Sequence, residues 1–211
     1  MNEASLALKA ALESVFASQI FSTSLWHESE TVMPVCSDEY TLENLGNLIL
    51  RDHYYNFQLW HVEDEARRLD VDDTVIANCK REVDRYNQKR NDAIEDIDKC
   101  LVSLLEPHLN TSATSRQNTE TIGMAIDRLS ILALKIYHMN EQTQRKDVDE
   151  KHIVTCSEKL GILQRQRRDL IRAVLDLITD YFLGNKVPAL FAQFKMYNDP
   201  NLNPALYGRR L

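Results

Sequence analysis

Along most of the chain apolar residues recur every three or four positions, the spacing that gathers them on one face of an α-helix. The first such run covers about residues 3–22 and gives way to a mixed segment, FSTSLWHESETVMPVCSDEY. Thr41 is placed to cap a second helix that runs to about Leu69, and Asp72 or Asp73 to cap a third that continues to about Leu105. The stripe of the third helix is Ile76, Cys79, Val83 and Tyr86, then Ile94, Ile97, Leu101 and Leu104. A stripe sustained over that length predicts packing against other helices from end to end. Pro107 and the run NTSATSRQNTE form the one clear linker. A fourth helix, about 119–141, contains MAIDRLSILALKIYHM and is apolar on nearly every side, as expected of a central, buried helix. The fifth, about 146–183, repeats the long stripe from Ile153 and Cys156 to Leu177 and Tyr181 before Gly184 stops it. A short amphipathic stretch, VPALFAQFKMY, then leads into NDPNLNPALYGRRL. The pattern predicts an all-α fold: one domain over residues 1–211, an antiparallel bundle of about five helices with a short C-terminal helix and an irregular docked tail.

Composition supports that assembly. The 211 residues hold only 5 Gly and 5 Pro, too few turns for a many-stranded β fold. An apolar share of 44% and a charged share of 27% suit a folded chain. The net charge of −7 argues against nucleic acid as a general partner, because neutralising phosphates needs a surplus of Lys and Arg. Cys36, Cys79, Cys100 and Cys156 form no CxxC pair, which fits free thiols in a reducing cytoplasm. The start, MNEASLALKAALESVF, lacks the basic end and unbroken apolar core of a signal peptide, and no run is long enough to span a membrane.

Several polar residues interrupt the apolar stripes. Asn87 and Arg90 stand where the third helix expects apolar side chains, as do Gln164 and Arg167 on the fifth. An Arg on a bundle seam must be paired, ligand-facing or near solvent, because burying it alone is very costly. Glu63 lies seven residues after Asn56 on the second helix, with Asp64 and Arg67 beside that face. Asp84, Asn87 and Asn91 also align at helical spacing. On the fourth helix Arg128, Lys135 and His138 share a face, flanked by Asp127. These sets admit two readings: a buried network that fixes helix register, or a polar pocket between helices that takes a small anionic ligand. Asp92, Glu95, Asp96 and Asp98 offer magnesium ligands, although a solvated acidic face is the commoner use of such a cluster. No di-iron Glu-x-x-His pair, HExxH, GxSxG, Walker or GxGxxG pattern occurs, so neither metal nor cofactor is assigned.

Four segments, NFQLWHVEDEARR, REVDRYNQKRNDAIEDID, IDRLSILALKIYHM and QFKMYNDPNLNP, resemble a bacterial family catalogued as domain of unknown function 4254, over about residues 45–207. The resemblance implies a small bacterial cytosolic protein associated with glycosyltransferases of cell-envelope glycan assembly. It places motif residues at Asn56, Trp60, Glu63, Asp64, Arg67, Asp84, Asn87, Arg90, Asn91, Asp127, Arg128, Lys135, His138, Lys195, Asn198 and Asp199.

The functional expectation is a bundle that binds or acts on a phosphorylated or sugar-nucleotide molecule. Arg90 and Arg128 would bind its anionic oxygens, Lys135 would add charge, and Glu63, Asp64 or His138 would serve in catalysis, with the tail as a lid. Two other classes stay open. One is a dimeric accessory protein docking a partner enzyme through the apolar fourth helix. The other is a magnesium-dependent nucleotide hydrolase using Asp92 and Glu95.

Overall fold

The computed structural model describes residues 3–109, 116–194 and 199–207. Among them the chain is all-α: α1 (Glu3–Glu28), α2 (Leu42–Glu65), α3 (Asp73–Leu105), α4 (Ile122–Thr143), α5 (Glu150–Leu183) and α6 (Pro204–Tyr207). No described helix is long and apolar enough to cross a membrane.

The helix starts follow side-chain caps that satisfy the first free amides. Thr41 accepts from Asn44 N, Asp72 from Thr74 N and Val75 N, Thr121 from Met124 N, and Asp149 from His152 N. At the far end of α5, Gly184 adopts φ 73°, and Asn185 N closes back on Asp180 O at 2.8 Å. That left-handed residue is what ends the helix there.

Two boundaries depart from the sequence pattern. α1 continues through Ser24, Leu25 and Trp26 to Glu28, six residues past the expected end. Its polar residues fold back onto the helix: Thr23 Oγ1 donates to Gln19 O, and His27 Nδ1 bonds Thr23 O. Their polarity therefore hides a helix that Trp26 anchors from inside. α2 stops four residues early, at Glu65, where the Arg67 and Arg68 amides tighten onto Asp64 O and Glu65 O three residues back.

The amphipathic stretch after Gly184 is not helical over residues 187–194. Pro188 removes one amide, while Val187 N donates to Arg116 O and Gln193 N to the Glu95 carboxylate, so two of its donors are satisfied outside any helix. The short C-terminal helix lies instead at Pro204–Tyr207.

Packing is in two hairpins, α2 against α3 and α4 against α5, with α1 laid over α2 and α4. The core draws on all five long helices through Leu12, Phe16, Ile49, Ile97, Leu101, Ile126, Leu129, Ile178 and Tyr181. α4 sits centrally, as its apolar surface predicts. None of its large apolar side chains is fully exposed, and Ile131, Leu132, Ile136 and Met139 are half-buried. α3 and α4 touch most closely at Gly123, whose backbone amide donates to Asp98 Oδ1 at 2.7 Å. A Cβ at Gly123 would stand 2.7 Å from Ile94 O, so only glycine allows this approach.

Candidate functional site

Above that joint the interior turns polar. Asn56 of α2 is buried, and its Nδ2 donates to Asp127 Oδ1 at 2.8 Å and Ser130 Oγ at 3.0 Å, with Asp52 Oδ2 at 3.3 Å. Ser130 Oγ lies 2.8 Å from His53 Nδ1, and His53 Nε2 lies 2.9 Å from Thr23 Oγ1. Because the Thr23 hydroxyl gives its proton to Gln19 O, it must accept from His53. His53 then carries its proton on Nε2 and accepts Ser130 at Nδ1. Burial pulls the His53 pKa down to about 3, so the ring is neutral and suits this hydroxyl chain. At the other end Gln19 and the Phe16 carbonyl receive Arg167 Nη2, at 3.2 and 2.6 Å. Burial pushes the Arg167 pKa down, and among the described residues no carboxylate is paired with it.

Asp52 is fully buried. Burial first, and then the charge of neighbouring Asp127, push its pKa well above the usual carboxylate range, while Arg90 opposes them. The arrangement is a carboxyl pair holding a proton beside one guanidinium. Arg90 Nε stands 3.8 Å from Asp127 Oδ1 and makes no hydrogen bond, although it is shut off from solvent.

Arg90 also borders a cleft of about 370 Å³ between α2, α3 and α4, lined by Asn56, Trp60, Glu63, Asp64, Arg67 and Asn87 together with Leu59, Ile131 and Leu134. Arg67 is mostly exposed and bonds Glu63 Oε2 at 2.8 Å. A second, more apolar cleft of about 530 Å³ lies on the other side of Trp60, lined by Lys135, His138, Met139, Lys159, Ile162 and Leu163 among others. The His138 ring stacks on Trp60 at 4.6 Å and 10°.

Seven of the residues singled out in the sequence thus meet around one cleft: Asn56, Trp60, Glu63, Asp64, Arg67, Asn87 and Arg90. Lys135 and His138 line the second. Asp127 lies beneath the first and bonds Asn56. The others sit elsewhere. Arg128 is half-exposed and ion-pairs with Glu120, away from both clefts. Asp84 pairs with Lys80 along α3, and Asn91 is buried with an unpaired Nδ2. Asp199 accepts from Asn201 N in its own turn. Lys195 and Asn198 lie outside the described residues, and the described residues of the tail line neither cleft.

The acidic residues of α3 each have separate partners. Asp92 accepts from Gln88, Glu95 from Gln193 N, Asp96 from Arg51 and Lys99, and Asp98 from Gly123 N. Sequence reasoning missed Asp52, His53 and Ser130, the middle of the buried network. Asp52 precedes Asn56 by one helical turn on the same face, a signal that was present but unused.

A family model described as "Protein of unknown function (DUF4254)" matches residues 46–189. Three of the four resembling segments fall within it, and QFKMYNDPNLNP lies beyond its end. No curated protein and no solved structure matches the chain.

Proposed function

We propose, for a chain that belongs to the family of proteins of unknown function DUF4254, that the cleft at Arg90 binds a small phosphorylated sugar or sugar nucleotide. One observation carries the reading: the incomplete pairing of Arg90. A guanidinium satisfied by a carboxylate makes N–H···O contacts of about 2.7–2.9 Å, commonly two of them. Arg90 has its nearest carboxylate oxygen at 3.8 Å, and Asp127 already receives Asn56. The guanidinium is therefore free to take the oxygens of a phosphate or carboxylate entering the cleft, and its planar fork suits that geometry.

The rest of the lining favours a polyhydroxylated ligand. Glu63 and Asp64 accept hydroxyl protons, and Trp60 supplies an aromatic wall. The volume of about 370 Å³ is within the range of small-molecule sites. Glu63 is the better-placed base, being less exposed than Asp64. A role in cell-envelope glycan assembly accords with this ligand class.

The test is a thermal-shift panel of nucleotide sugars, sugar phosphates and free nucleotides, run on the wild type and on Arg90→Met. A ligand at about one hundred times its dissociation constant stabilises the fold by roughly 2.7 kcal/mol. A shift from one ligand class that vanishes in a folded Arg90→Met variant supports the reading. No shift across the panel, or a shift that survives the substitution, refutes it.

A further inference from the structure

Three histidines from three helices converge beside the second cleft: His27 at the end of α1, His61 on α2 and His138 on α4. One ring nitrogen of each lies within 4.8 Å of the others, and no other His, Cys, Asp or Glu group of that kind occurs among the described residues. We infer that His27, His61 and His138 form a binding site for a divalent transition-metal ion of the zinc type.

The hydrogen bonds around the rings favour this chemistry. His27 Nδ1 lies 2.6 Å from Thr23 O, and a carbonyl only accepts, so Nδ1 carries the hydrogen. His138 Nδ1 lies 2.7 Å from Glu141 Oε2, which accepts in the same way. Both rings therefore present Nε2 as a lone pair. Both Nε2 atoms are shut off from solvent and have no hydrogen-bond partner. An Nδ1–H held by a carbonyl or carboxylate, with Nε2 left to coordinate, is the usual outer-shell support of a metal-binding histidine.

Aromatic contacts fix the ring planes. His27 stacks on Tyr137 at 4.2 Å, His138 stacks on Trp60, and Phe57 packs edge-on against both His27 and His61.

Zinc–nitrogen bonds of about 2.0–2.1 Å in tetrahedral geometry set nitrogens roughly 3.4 Å apart. From a spacing within 4.8 Å the nitrogens have to close by no more than about 1.4 Å on binding the ion. Three imidazoles select zinc, copper, nickel or iron over magnesium or calcium, which prefer oxygen ligands. A three-histidine set also leaves a fourth position for water or a ligand. His138 belongs both to the cluster and to the wall of the second cleft, so an ion held there borders a cavity.

The experiment is zinc titration by calorimetry on untagged, metal-stripped full-length protein, with cobalt(II) as the optical probe. We expect one ion per chain and the strong visible bands of low-coordinate cobalt. His61→Ala should weaken zinc binding at least 100-fold. Glu141→Gln, which alters only the outer shell, should weaken it about 10–100-fold. His152→Ala, on the distant start of α5, should leave affinity unchanged. His61 is half-buried and Glu141 is exposed, so both variants should keep the helical circular-dichroism spectrum of the wild type even if His27 or His138 variants unfold. Absence of zinc binding to the wild type, or undiminished binding by a folded His61→Ala protein, overturns the assignment.

Discussion

Replacing Asp98 by asparagine measures the electrostatic cost of docking α3 against α4, the two helices that carry Arg90 and Asp127. Asp98 is only 4% exposed. Burial raises its pKa from 3.8 to about 6, although hydrogen bonds from Thr121 and the Gly123 amide pull the other way. A carboxyl group with a raised folded-state pKa stabilises the protein fully below its unfolded value and loses that contribution as pH rises through the folded value. Here the window runs from pH 3.8 to 6. At 1.36 kcal/mol per unit, the loss across it is about 3 kcal/mol. The carboxamide of Asp98→Asn retains an oxygen for the Gly123 amide but does not titrate. The variant's stability relative to wild type should therefore rise by about 2.4 kcal/mol between pH 4 and pH 7, whatever constant offset the amide introduces. Guanidinium unfolding followed by helical circular dichroism at four or five pH values reads this difference. In a chain of this length it corresponds to roughly 5–10 °C in melting temperature. A stability difference that stays flat from pH 4 to 7 would show that Asp98 titrates alike in the folded and unfolded chains, and the electrostatic account of this joint would be wrong.

Two further substitutions probe the same region. Gly123→Ala should destabilise by about 1–3 kcal/mol, because the new Cβ meets Ile94 O and Asp98 at under 3 Å and α4 must shift. Unfolding measurements that find the alanine variant more stable, as helix propensity alone would predict, contradict the close approach. Asn56→Leu should cost about 3 kcal/mol in denaturant unfolding, since it strips donors from Asp127 and Ser130 inside the bundle. A loss below about 1 kcal/mol would mean that water already serves those groups.

Much of this arrangement is legible in the chain because helical spacing reports which residues share a face. Thr41, Asp72 and Gly184 mark helix ends by chemistry that is local to a few residues, and the structure uses them as caps and stop. Asn56 and Glu63 on one helix, with Asn87 and Arg90 on another, interrupt apolar stripes, and polar groups forced inward tend to meet one another. Their meeting around one cleft follows from that constraint. Spacing says nothing about how far a long side chain reaches, and Arg128 turns to Glu120 at the helix start instead of toward Lys135. The histidine cluster was out of reach for a different reason. His27, His61 and His138 belong to three helices, so their convergence depends on how those helices pack. His27 also sits in a stretch whose Ser and Thr content masks its helical state until the back-bonds to preceding carbonyls are seen.

The structural and ligand-binding readings of the polar interior need not compete. A network kept only for register would do best fully satisfied, because each buried unpaired group costs about 1–3 kcal/mol. Most of this network meets that standard: Ser130, His53 and Thr23 form a chain in which each hydrogen has an acceptor. Groups without a hydrogen bond stand at both ends: Gln19 Nε2 and Arg167 Nε at one, and Asp52 Oδ1 and Arg90 Nε, near Asn56 and Asp127, at the other. With its proton held, Asp52 adds no charge, so Asp127 and Arg90 balance one another across 3.8 Å. At that distance Arg90 is attracted to Asp127 without bonding it, the opening that the proposed anion would fill. The bonded chain of Thr23, His53 and Ser130 ties α1, α2 and α4 together, and of the unbonded groups in this network Arg90 is the one that borders the cleft, where the proposed ligand would complete it.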